Sequence, residues 1–267
     1  MEKQINTLND PLRLFSDYVT TTGIGQLGPE SHGDPALLGK RLGLINGASW
    51  ISLWCNYFGK LYLPGVKLIN AGNDAVQFNF TRAFAKGEPC PPQRNIEVFA
   101  RTARDLVELS DVDAILITCS TMNRSYGAVA EAVDVPVVQT DMPMMEAAVN
   151  HGGTVLVIAS LVTTVNSTHA LLAETAQRLG KSVTSTGVTV EEAWHRLAVG
   201  DVQGHNALLA KTIREATDRE TFGCVVLAQI SMTIFALSYP DAEAEFGLPV
   251  FNSGQMGFQR IREILTA

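Results

Sequence analysis

Short apolar runs alternate with longer segments of helical period along most of the chain. The runs are RLGLIN, VKLINAG, AILITC, VPVVQT, TVLVIAS, SVTSTGVT, CVVLAQ and LPVFNS. Between them lie helical patterns, among them Arg94 to Leu109, Thr168 to Leu179 and Val202 to Asp218, the second closed by Gly180. Apolar runs this short, ending in small polar residues, read as buried parallel strands. Their alternation with helices predicts an α/β fold of parallel sheets flanked by helices. Residues 1–40 stand apart. Their Gly/Pro/polar stretch TTTGIGQLGPESHGDPALLGK has no clear period and reads as an N-terminal arm packed on the body or on a partner subunit.

The pattern repeats internally. VDAILITCSTM (Val112 to Met122) aligns with FGCVVLAQISM (Phe222 to Met232): in each, an apolar strand ends at a polar residue, followed by Ser or Thr and then Met. VPVVQT and LPVFNS follow at nearly the same offset. Two domains of related design are expected, facing each other so that the carboxyl ends of their strands meet at one cleft, where open parallel sheets bind ligands. Cys119 and its counterpart Gln229 would then face that cleft.

Composition narrows the function classes. A chain of 267 residues suits one large or two small domains, and a formal charge of −7 gives no basic footprint, so nucleic acid is not an expected partner. Cys55, Cys90, Cys119 and Cys224 have no paired spacing, which argues against a disulfide scaffold and for a reducing, cytoplasmic setting. MEKQINTLND has no apolar signal core, and no segment reaches the roughly 18 apolar residues of a membrane span. His32, His151 and His169 show no ligand spacing, so no metal is expected. His195 and His205 have no Asp or Glu to orient them as bases and read as surface or packing residues.

The candidate chemistry gathers at Thr118-Cys119-Ser120-Thr121. A strand that delivers a thiol to the start of a helix places it near outward-pointing N–H groups, which lower a thiol's pKa toward a reactive range. Cys119 is therefore read as a reagent, whereas Cys55, Cys90 and Cys224 lack that setting and read as structural. Ser120 and Thr121 offer hydroxyls and N–H groups to a carboxylate or enediolate; an ordinary helix cap is the alternative. Asn46 ends GLIN either as a cleft amide or as part of an Asn-Gly turn. Gln229 reads as a substrate contact or a buried structural amide, with Ser231 as its companion. Arg124 either pairs with a second carboxylate or is a solvated helix-face residue.

Taken together, ILITCSTM, VPVVQTDMPMMEAAV, TVLVIASLVTT, VEEAWHRLAVGDVQGHNALL and CVVLAQISM resemble the aspartate/glutamate/hydantoin racemase superfamily, over about Arg41 to Ala267. The resemblance implies two pseudosymmetric α/β domains, no cofactor, and one cysteine from each domain on opposite faces of a substrate carbon beside a carboxylate or carbonyl. Cys119 matches the first cysteine, and the second position holds Gln229. A glutamine amide can donate and accept hydrogen bonds but is neither acid nor base near neutral pH. The chain thus resembles a single-cysteine variant, related to the arylmalonate decarboxylase and maleate isomerase types; in the former one thiol protonates an enediolate. Thr163 and Thr164 match the family's carboxylate-contacting turn, with a plain N-cap as the alternative. Because family members return their last helix to the first domain, the expected domains are 41–141 plus 252–267, and 142–251. The expected protein is a homo-oligomeric isomerase, racemase or one-cysteine decarboxylase that acts on a small carboxylate or carbonyl compound through an enolate, with Cys119 transferring the proton. A binding protein that lost the chemistry is the other reading.

Overall fold

The computed structural model describes residues 10–23 and 28–267. Its body contains two four-stranded parallel sheets of identical topology. The first is built from β1 (Arg41–Asn46), β2 (Lys67–Gly72), β3 (Ala114–Ile117) and β4 (Val137–Gln139), in the order β2-β1-β3-β4. The second is built from β5 (Thr154–Ala159), β6 (Thr184–Thr189), β7 (Cys224–Leu227) and β8 (Val250–Asn252), in the order β6-β5-β7-β8. Each of the eight apolar runs supplies one strand.

The central strands are buried because helices cover both faces of each sheet. Side chains alternate between faces. Leu42, Leu44, Ala114 and Leu116 join Cys55 and Phe58 of helix Ile51–Tyr62 and Phe258, Ile261 and Leu265 of the last helix, Ser253–Thr266. Ile45, Ile115 and Ile117 point the other way, into Phe99, Ala103 and Leu106 of helix Gln93–Ser110. In the second sheet, Val155, Val157, Cys224 and Val226 pack on helices Met142–His151 and Val162–Arg178, and Leu156, Ile158, Val225 and Leu227 pack on helix Val202–Thr217. The last helix thus follows β8 of the second sheet yet lies in the core of the first.

Two expectations are corrected. The segment read as an arm without period contains a helix, Pro11–Thr22, capped by Asp10, whose carboxylate accepts from the Arg13 N–H at 2.9 Å. None of its residues is buried, which is why it leaves no core pattern in the sequence. Residues 1–9 and 24–27 of the expected arm lie outside the described residues. The helix expected from Thr168 begins at Val162, because burial of Thr164 and Val165 outweighs the poor helix propensity of β-branched residues. Among the described residues no helix is long and apolar enough to cross a membrane.

Candidate active site

A strand order of 2-1-3-4 carries the chain away from β1 in opposite directions, opening a crevice between the carboxyl ends of β1 and β3; the second sheet does the same between β5 and β7. The two crevices share one cavity of about 180 Å³. Ala48, Trp50 and Ile51 reach it from beyond β1, Thr118 to Thr121 from β3, Leu161 and Thr164 from β5, and Gln229 to Ser231 from β7. Gln77 and Trp194 enter from the helices that follow β2 and β6.

Cys119 and Gln229 hold equivalent places. Each lies two residues beyond its strand in extended backbone and opens a short 3₁₀ helix, Ser120–Ser125 or Ile230–Ile234. The sulphur is 3.2 Å from Thr121 Oγ1, and the Thr121 and Met122 N–H groups also face it. Burial nevertheless dominates and pushes the thiol above its ordinary range, with the Asp141 charge acting in the same direction. The expected lowering of the Cys119 pKa is therefore corrected. A short 3₁₀ helix does not offset desolvation, and the group is a thiol at neutral pH.

The Gln229 carboxamide is fixed in orientation. Its Oε1 accepts from the Ser160 N–H at 2.6 Å and from Ser160 Oγ at 2.8 Å. A backbone N–H can only donate, so the oxygen must face Ser160 and the NH₂ group is left for the cavity wall.

Other expected residues divide. Ser120, Thr121, Thr164 and Ser231 line the cavity. The Ser120 hydroxyl donates to Asp141 Oδ1 at 3.2 Å, and the Ser231 carbonyl accepts from Trp54 Nε1 at 3.0 Å. Asn46 does not line the cavity. Its amide donates to Ser52 and Asn70, and its oxygen accepts from Thr118 and Cys55, so it is a buried structural hub rather than the expected substrate contact. Thr163 is turned instead toward a neighbouring cavity of about 520 Å³, which also takes in Arg124, Gln139 and Glu174. That space is larger but is lined by neither Cys119 nor Gln229, and shares only Ser120 and Thr121 with the first. Arg124 and His195 are exposed, and His205 is buried against Asn206. Among the described residues no group of His, Cys, Asp and Glu is arranged to hold a metal ion.

The sequence pattern of the Asp/Glu/Hydantoin racemase family matches residues 90–261, more than half of the chain. The chain belongs to the Asp/Glu/hydantoin racemase family. Solved structures agree in fold. An aspartate racemase homologue from Pyrococcus horikoshii OT3 superposes with a TM-score of 0.62 at 17% identity, over 85% of this chain and 100% of that one. The allantoin racemase from Klebsiella pneumoniae gives 0.61 at 16% identity, over 85% and 88%. The glutamate racemase from Francisella tularensis subsp. tularensis SCHU S4, in complex with D-glutamate, gives 0.57 at 18% identity, over 85% and 81%. No curated protein matches the chain in sequence.

Within this racemase-family fold, the structure adds residues that the sequence reading passed over. Gly47 lies against the thiol: a Cβ there would stand 2.5 Å from Cys119 Sγ. Ser160 locks Gln229. Trp50 and Trp194, one from each domain, meet with ring centroids 5.9 Å apart. Asp141 is buried behind Cys119, accepting from Asn123 Nδ2 at 2.7 Å and from Ser120.

Burial raises the Asp141 pKa from its ordinary 3.8 to about 6, against the hydrogen bonds from Asn123 and Ser120. The folded state therefore binds more protons than the unfolded chain between about pH 4 and pH 6, so this group's contribution to stability falls as pH rises through that window and is flat above it. Asp141→Asn is expected to remove the fall, gaining up to ~3 kcal/mol relative to the native protein between pH 4 and pH 7. Urea unfolding across that range measures it. Parallel curves for the two proteins would show that Asp141 titrates at its ordinary value.

Proposed function

We propose that this protein is a cofactor-independent enzyme that moves a proton at a carbon beside a carboxylate or carbonyl, through an enolate, with Cys119 as the proton-transferring thiol. Family membership supports a racemase or isomerase type of function. The observation that carries the finer reading is the cavity that takes Cys119 from one sheet and Gln229 from the structurally equivalent point of the other.

In this reading the Thr121 hydroxyl and the Gln229 NH₂ group donate to the oxygens of the enediolate, where negative charge develops, beside Ser120, whose hydroxyl proton is held by Asp141. The Cys119 S–H gives its proton to the carbon, and the thiolate so formed is held by the Thr121 and Met122 N–H groups until water returns a proton. The carbon reaches its carbanion character either by losing an α-proton to the thiolate form of Cys119, the C–H bonding pair passing into the enediolate and the thiol so formed returning the proton, or by losing carbon dioxide, the C–C bonding pair passing into the enediolate. The second route is favoured by one specific feature: burial keeps Cys119 protonated, which suits a donor better than a base.

Turnover in deuterated water separates the routes. A protein with one proton carrier is expected to place deuterium on a single face and give one antipode. Gln229→Cys, which restores a second thiol, is expected to add racemisation. Release of both antipodes by the native protein, with the α-hydrogen of recovered substrate exchanged, would show a second proton carrier and overturn the one-thiol reading.

A further inference from the structure

The cavity that holds Cys119 is unlike a site for an acid with a second carboxylate away from the reacting carbon. Away from its hydroxyls and amides it is walled by Ala48, Trp50, Ile51, Leu161, Trp194 and Ile230. Among the described residues, no Lys, Arg, His, Asp or Glu lines it. The chain has three tryptophans; Trp50 and Trp194 line the cavity with ring centroids 5.9 Å apart and tilted, and Trp54, edge-on to Trp50 at 5.2 Å, lies behind them and donates to the carbonyl of Ser231 on the cavity wall. The Trp50–Trp194 contact joins the two domains across the mouth between their strands.

Each half of this lining selects a chemistry. Neutral donors are enough for one carboxylate or carbonyl head, since a hydrogen-bonded anion can be held without a countercharge. A carboxylate in place of the apolar substituent would enter this wall with no opposite charge to meet it, and burying an unpaired charge is strongly unfavourable. Arg124 does not supply that charge here, because it is exposed and faces the neighbouring cavity beyond Ser120 and Thr121. Indole faces and edges instead favour a flat apolar group. Size agrees: an apolar cavity of ~150 Å³ accepts benzene, and this one measures about 180 Å³.

We propose that the ligand of this cleft carries an uncharged planar substituent, such as an aryl ring, packed on Trp50 and Trp194 beside the carboxylate or carbonyl head at the reacting carbon, and that acids which place a further carboxylate on that apolar wall, as succinate and aspartate do, are rejected. The proposal deepens the reading of this cleft as the active site and rests on it.

Calorimetric titration of the full chain with phenylacetate and with succinate tests it, with tryptophan fluorescence as a second readout because two of the three indoles line the cavity and the third packs on one of them. Phenylacetate is expected to bind at least about 10-fold more tightly than succinate, Trp194→Ala to weaken phenylacetate by about 10-fold, and Trp194→Phe to keep most of its affinity. Succinate binding as tight as phenylacetate, binding of neither, or an unchanged phenylacetate affinity in Trp194→Ala would overturn the proposal. Binding needs no turnover, so the two readings fail separately. An aryl preference in a protein that exchanges no α-proton of 2-phenylpropionate and decarboxylates no arylmalonate sinks the enzymatic reading and supports the ligand class. Faster α-proton exchange with L-aspartate than with 2-phenylpropionate sinks the ligand class while supporting the chemistry.

Discussion

Cys119→Ala is expected to lower the α-proton exchange or decarboxylation rate by roughly 10²–10⁴-fold, the usual range for a positioned proton-transfer group. In the proposed mechanism no other side chain of the cavity can replace it: the remaining polar groups are hydroxyls, indole N–H groups and the amides of Gln77 and Gln229, none of which is an effective acid near neutral pH. The loss should fall on kcat, since the proton is delivered only in the transition state. Cys119→Ser is expected to be nearly as impaired, because a hydroxyl keeps the hydrogen bond to Thr121 but gives up its proton far less readily. Stability should change less than activity, as Cys119 lies at the edge of its core and on the cavity wall. Steady-state kinetics beside a thermal melt measures both quantities. Full activity in Cys119→Ala would remove the mechanism, whereas Cys55→Ala and Cys224→Ala, within packed cores, should act on stability instead.

Gly47→Ala should be the second most damaging single change. The added methyl would lie 2.5 Å from Sγ and 3.2 Å from Cβ of Cys119, well inside contact distance. Of the two, the sulphur is the freer to yield, so the thiol rotates away from Thr121 and from the carbon it must reach. A displacement near 1 Å at a reacting atom is worth about 100-fold in rate, and that is the loss expected in kcat/KM. A destabilisation of about 1–3 kcal/mol should accompany it, as for other overpacked sites. Comparing kcat/KM with the melting temperature for Gly47→Ala and Gly47→Ser checks this. Unchanged turnover would show that the sulphur's position is not critical.

Much of this architecture is legible in the sequence because parallel strands covered on both faces must be apolar throughout, as β3 and β7 are. The repeat around Cys119 and Gln229 is legible for the same reason: two sheets of one topology end their third strands alike. The arm helix is hidden by its full exposure, although Asp10-Pro11 at its start and Gly23 at its end are recognisable boundary signals. Gly47 hides in an Asn-Gly pair that reads as a turn, when what it provides is room for the sulphur atom of Cys119, five elements later. Trp50 and Trp194 give no functional signal at all, since an aromatic residue beside a strand looks the same whether it faces a core or a cleft. Asp141 reads as the ordinary acid before a helix. The thiol's acidity depends on burial, which only the folded chain defines.

Ser160 has a consequence for the entropy of binding. A free glutamine side chain has several rotamers to surrender when a ligand arrives, at about 0.5–1.5 kcal/mol per immobilised side chain. With Oε1 held from two directions, Gln229 has given up that freedom during folding. In the proposed mechanism its NH₂ group would therefore meet an arriving anion already ordered, and the favourable energy of that contact would not be diminished by a further loss of motion.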